Sequence, residues 1–131
     1  MSNPKMASLD KTLSNKTMAG EVTWETTERE QVFQISFAEN SVRIRTEIDF
    51  QNESTDYLIG LYNARGVLME EVSDTGLKDD IPYAYIVMKD LFEAARRQAL
   101  GVEKAINDIL SKLTGDDLPD PPNLPDPDLP F

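Results

Sequence analysis

The chain has 131 residues, 24 acidic against 13 basic side chains, a net charge of −11, and neither cysteine nor histidine. That length suits one domain with tails, and the missing cysteines exclude a disulfide framework, a thiolate nucleophile and a thiolate metal site. The missing histidines remove the usual general base near neutral pH, so the composition argues against an enzyme, and the acidity argues against direct contact with phosphate backbones.

Residues 1–20, MSNPKMASLDKTLSNKTMAG, show no apolar period and lack the apolar middle of a secretory signal. A disordered arm is expected there, and a cytoplasmic location. No run approaches the roughly 18 apolar residues of a membrane span.

From Glu21 the apolar period is two. Val22, Trp24 and Thr26 alternate with polar residues, and Phe33, Ile35 and Phe37 do the same. Val42, Ile44, Thr46, Ile48 and Phe50 form the clearest amphipathic strand, with Arg43, Arg45, Glu47 and Asp49 on its other face. Glu39-Asn40 reads as a turn and 51–55 as the next loop. The fourth strand, around Tyr57 to Tyr62, is apolar on both faces, which predicts the centre of the sheet. Asn63-Ala64-Arg65-Gly66 predicts a tight turn with Gly66 left-handed, leading into a fifth strand over 67–73. Short links make a meander the simplest topology.

After Asp74 the period lengthens. Tyr85, Met88, Phe92, Ala95, Ala99, Val102, Ile106, Ile109 and Leu113 follow at spacings of three and four, a heptad seam. The seam keeps phase across Gly101, which predicts one helix over about 82–114 with a bend allowed at that glycine. A helix of about 30 residues spans roughly 45 Å, and a strand of about eight spans roughly 27 Å. The half carrying Val102, Ile106, Ile109 and Leu113 is therefore expected either to overhang the sheet and need another surface, most simply its twin in a homodimer, or to kink at Gly101 and fold back on its own sheet.

Residues 116–131, DDLPDPPNLPDPDLPF, hold six prolines and five aspartates, beyond the last base at Lys112. Leu118-Pro119-Asp120-Pro121 recurs as Leu124-Pro125-Asp126-Pro127, and Leu129-Pro130-Phe131 adds a third Leu-Pro step. Such a segment forms neither ladder nor core, but it favours polyproline II. Leu118, Leu124, Leu129 and Phe131 then suit apolar pockets of a partner, with Pro119 and Pro125 setting the rod and Asp120 and Asp126 meeting a basic rim.

Asp74-Thr75-Gly76 spells the aspartic-protease triplet, but that chemistry needs two aspartates on apolar strand loops, and here Glu70-Glu71-Val72-Ser73 precedes it. Turn chemistry explains it more simply. Glu70, Glu71, Asp79 and Asp80 lack calcium-loop spacing and read as solvated acids or a helix start. Arg97 with Glu93 and Lys104 with Asp108 are helix-surface pairs. Trp24, Tyr57, Tyr62, Tyr83 and Tyr85 read as packing rather than a ligand box.

The sequence thus predicts an α+β fold: a five-stranded antiparallel β-meander over 21–73, then one long C-terminal helix. The domain is expected over 21–115, between a disordered N-terminal arm and a disordered acidic proline-rich tail over 116–131. The expected function is a non-catalytic protein-interaction or regulatory module, with protein partners, no cofactor, no metal, no membrane and no direct nucleic acid. An acidic nucleic-acid mimic that inhibits a DNA-processing enzyme is the first alternative, and a small carboxylate-based hydrolase the second. Deletion of 116–131 is expected to shift the melting temperature by less than about 2 °C, a change of under about 0.5 kcal/mol. Unfolding of the deleted chain in a thermal melt would show that the tail packs in cis.

Overall fold

The computed structural model describes residues 3–114. They divide into two compact units, with the boundary in the chain between Leu100 and Gly101. The first holds a helix α1 (Pro4–Met18), strands β1 (Glu25–Thr26), β2 (Phe33–Ser36), β3 (Asn40–Asp49), β4 (Ser54–Asn63) and β5 (Leu68–Ser73), then helices α2 (Asp74–Leu77) and α3 (Ala84–Leu100). The second holds α4 (Val102–Thr114).

The five strands form one antiparallel sheet in the order β1-β2-β3-β4-β5, the expected meander. Period-two patterning sets its sidedness. Phe33 pairs with Ile44, Ile35 with Val42, and Ile44 with Ile59, so these side chains share one face and are buried there. Helices cover that face: Met6, Ala7 and Leu13 of α1, Leu77 of α2, and Met88, Leu91, Phe92 and Ala95 of α3 join the same core. Aromatic rings tie α3 to the strands, with Phe92 5.7 Å from Phe33 and 5.6 Å from Tyr57. At the other end of the core, the Trp24 amide donates to Gln98 Oε1 at 2.7 Å and its indole Nε1 to Thr17 Oγ1 at 2.9 Å. One residue thereby holds α1 and α3 together.

The turn after β4 is as predicted. Gly66 has φ +81°, and the Asn63 carboxamide oxygen accepts from the amides of Arg65 and Val67. The register then shifts, because Leu61 faces Glu70 while Tyr62 faces Leu68, so Met69 is an extra residue on the edge strand. The predicted sheet centre is corrected: β3 is the middle strand, and β4 lies beside it. The first strand is also shorter than expected, with Val22 and Trp24 preceding it.

Two larger expectations are corrected. The pattern of residues 1–20 predicts a disordered arm, yet Pro4–Met18 is a helix with Met6, Ala7, Asp10 and Leu13 buried. Its start carries a cap, since Asn3 Oδ1 accepts from the Met6 amide, with proline at the first helical position. Its end is a Schellman motif: Gly20 takes φ +73°, the Glu21 amide bonds Lys16 O and the Gly20 amide bonds Thr17 O. The single C-terminal helix is likewise two. Gly101 has φ +68°, outside the helical region, so α3 stops at Leu100 and α4 starts anew at Val102. Spacings of three and four survive such a break, which is why the seam gave no sign of it.

Asp10 is the anomaly of the core. It is 0 % exposed, and neither carboxylate oxygen has a hydrogen-bond partner among the described residues. Desolvation alone pushes its pKa up from 3.8 to about 6. The folded state therefore holds this proton more tightly than the unfolded chain. The associated stability is fully present below about pH 4 and is lost as pH rises through about 6. Two pK units correspond to about 3 kcal/mol. Asp10→Asn removes this titration. Its unfolding free energy relative to wild type, measured by urea denaturation, should rise by about 3 kcal/mol from pH 4 to pH 8. A pH-independent difference would show that Asp10 is solvated or paired.

Candidate interaction surfaces

The longest ladder in the molecule joins β3 to β4, from Asn40↔Asn63 to Asp49↔Ser54. Its neighbours are shorter. The β2 pairing ends at Ile44 and the β5 pairing at Leu58, so the last four rungs, Thr46↔Tyr57 to Asp49↔Ser54, run as a two-stranded ribbon. The apolar face of β3 continues along it. Val42 and Ile44 are buried, but Ile48 is 53 % exposed and Phe50, at the tip, is 84 % exposed. At the base of the ribbon, Tyr57 meets the Tyr85 ring edge-on at 5.5 Å, which closes the end of the core.

The tip is ordered by its own side chains. Asp49 Oδ1 accepts from the amides of Gln51 at 3.0 Å and Asn52 at 3.3 Å, and Asn52 Nδ2 donates to Asp49 Oδ2 at 2.8 Å. The Asn52 backbone bond, followed by its side-chain bond, lowers the Asp49 pKa and keeps the carboxylate ionised. Glu53 takes φ +54°, a left-handed conformation that costs a non-glycine residue about 1 kcal/mol. A shallow depression of about 450 Å³ beside the tip is lined by Glu47, Ile48, Asp49, Phe50, Gln51 and Asp56. Between Thr46 and Tyr57 the sequence holds four acids and no base.

The face of the sheet opposite the helices of the first unit is internally paired. Arg45 makes two bonds to Glu71, Nε to Oε2 at 3.1 Å and Nη2 to Oε1 at 3.2 Å, which favour the charged guanidinium. Arg43 donates to Gln34 and Glu28 and lies 5.1 Å from the centre of the Tyr62 ring. Gly60 lies opposite Arg43 and Glu71, and a Cβ there would come within 3.2 Å of both Leu68 Cδ1 and Tyr62 Cε1. The glycine leaves room for this arrangement.

The carboxylates singled out by sequence have structural employment. Asp74 is buried at the start of α2, where Oδ1 accepts from the Tyr57 amide at 2.8 Å, while Ser73 caps the helix by accepting from Gly76. Asp80 Oδ2 accepts from the Asn3 amide at 2.8 Å and Glu70 Oε2 from Asn3 Nδ2 at 3.2 Å, so both hold the positive end of α1. Among the described residues no three acidic side chains gather as a metal site would require. No described helix is long and apolar enough to cross a membrane. Glu93 pairs with Arg96 at 3.3 Å, and Lys104 with Asp108 at 2.9 Å. Tyr83 departs from its expected packing role, being 81 % exposed with φ +59°.

Of the predicted seam, Val102, Ile106, Ile109 and Leu113 lie on α4, which carries no buried residue. Leu118, Pro119, Asp120, Leu124, Pro125, Asp126, Leu129 and Phe131 lie outside the described residues. Sequence reasoning missed the ribbon tip. Its signal was present in the outward extension of one apolar face to Phe50 beside the Asp49-Asn52 turn. Comparison of the chain with known protein families, with curated proteins and with solved structures found no match. Asp49→Ala is expected to speed amide exchange at Gln51 and Asn52 by about fivefold to tenfold, for bonds worth about 1 kcal/mol, with Ile44 and Ile59 unchanged. Hydrogen exchange followed by NMR reads both sets.

Proposed function

We propose that the chain is a non-catalytic protein-interaction module that works by docking the apolar stripe of α4, with the repeated Leu-Pro-Asp-Pro tail as a second contact. The observation that carries this reading is the stripe itself. Val102, Ile106, Ile109 and Leu113 repeat at helical spacing on a helix of 13 residues with none buried. An isolated helix shorter than about 12–15 residues is marginal in water and gains most of its stability from packing of such a face. The same helix of a second copy is the simplest cover, because two a/d seams interdigitate. The engagement of Asp74, Glu70, Glu71 and Asp80 in capping and ion pairing supports a binding role over catalysis by carboxylates. A cytoplasmic setting belongs to the same proposal.

Ile106→Glu with Ile109→Glu places two carboxylates on the stripe and changes no residue of the sheet unit. Wild type at tens of micromolar should sediment at twice the chain mass, and the double variant at the mass of one chain. Wild-type sedimentation at one chain mass removes the twin as occupant.

A further inference from the structure

We propose that the tip of the β3–β4 ribbon is a docking finger, and that its partner is a protein whose apolar cleft is rimmed by lysine and arginine. The proposal rests on the reading of the chain as a binding module, but concerns residues of the first unit and none of α4. Three observations carry it.

The first is apolar. Ile48 and Phe50 extend a core face past the last flanking strand, so they are presented rather than packed. An exposed aromatic at a projecting tip suits the centre of a protein contact, where aromatic anchors carry most of the binding. The second is order. Asp49 fixes the turn through three hydrogen bonds, so little freedom is lost when Phe50 enters a cleft. The third is charge. Glu47, Asp49 and Asp56 line one depression with Ile48 and Phe50, and Glu53 follows in the same turn. No base lies between Thr46 and Tyr57, with Arg45 3.8 Å from Glu47 at the base of the ribbon. Such an excess of acids repels nucleic acid and anionic membrane and complements a basic rim, adding salt-dependent attraction beside a dry anchor.

The test places p-benzoylphenylalanine at position 50 of the full chain, with position 67, at the exposed Val67, as control and position 109 as reporter for α4. Irradiation in the native host, followed by mass spectrometry, identifies each cross-linked protein and residue. The expected product at position 50 is a protein absent at position 67, joined through an apolar residue with lysine or arginine nearby. With that protein purified, Phe50→Ser should weaken binding roughly tenfold or more at an unchanged melting temperature. Glu47→Gln with Asp56→Asn should weaken it and flatten its salt dependence.

The proposal is overturned if position 50 yields nothing beyond its control. A product with lipid, or with a second copy of this chain, overturns it too. So does a partner whose affinity ignores either substitution. A product at position 109 alone defeats this inference and leaves the α4 reading standing; products at neither position defeat both.

Discussion

The register of β3 on β4 is the constraint on which the first unit depends. Because side chains alternate, sliding β3 by a single residue would turn Val42 and Ile44 to solvent and drive Arg43 and Arg45 into the core. The two faces enforce the same register independently. Below the sheet, Phe33, Ile44, Ile59 and Tyr57 need the cover of α3; above it, Arg45 reaches Glu71 across the space left by Gly60. Asp74 then locks the Tyr57 amide beyond the last β5 rung, so the ladder is held at the point where it leaves the sheet.

The cover of that sheet is uneven in quality. The α1 helix is fastened at both ends, by Asp80 and Glu70 on Asn3 and by Trp24 on Thr17. Yet it brings an unpartnered carboxyl into the core at its middle. Its ends stabilise it, and Asp10 opposes them above about pH 6. A helix so balanced is the element of the first unit whose attachment responds most directly to acidity, although its own surface is mostly polar.

Much of the sheet is legible in the residues, because period two is a local property. The alternation in 42–50 and the Asn63–Gly66 turn specify their geometry without help from elsewhere. What was not legible depends on partners far away in sequence. The α1 stripe was hidden because one of its core positions is an aspartate and another is Ala7, neither of which an apolar count registers. The break at Gly101 is silent in a pattern of threes and fours. The ribbon is a mismatch of lengths: Ile48 and Phe50 carry the same pattern as Ile44, but they lie beyond the ends of both flanking pairings, at Ile44 and Leu58, and outside the core cluster. The α4 stripe was the legible part of the candidate surfaces, and the finger was not.

The edge of the sheet has a consequence for behaviour in crowded solution. A free outer strand is where molecules polymerise, each adding its own strand to the next. On β5 the surplus Met69 interrupts the regular ladder where Leu61 faces Glu70 and Tyr62 faces Leu68. Glu70 and Glu71 reach to opposite faces, toward Asn3 and Arg45, so an approaching strand meets an irregular edge whose side chains are already engaged. The defect in the ladder is thus a guard against fibre growth.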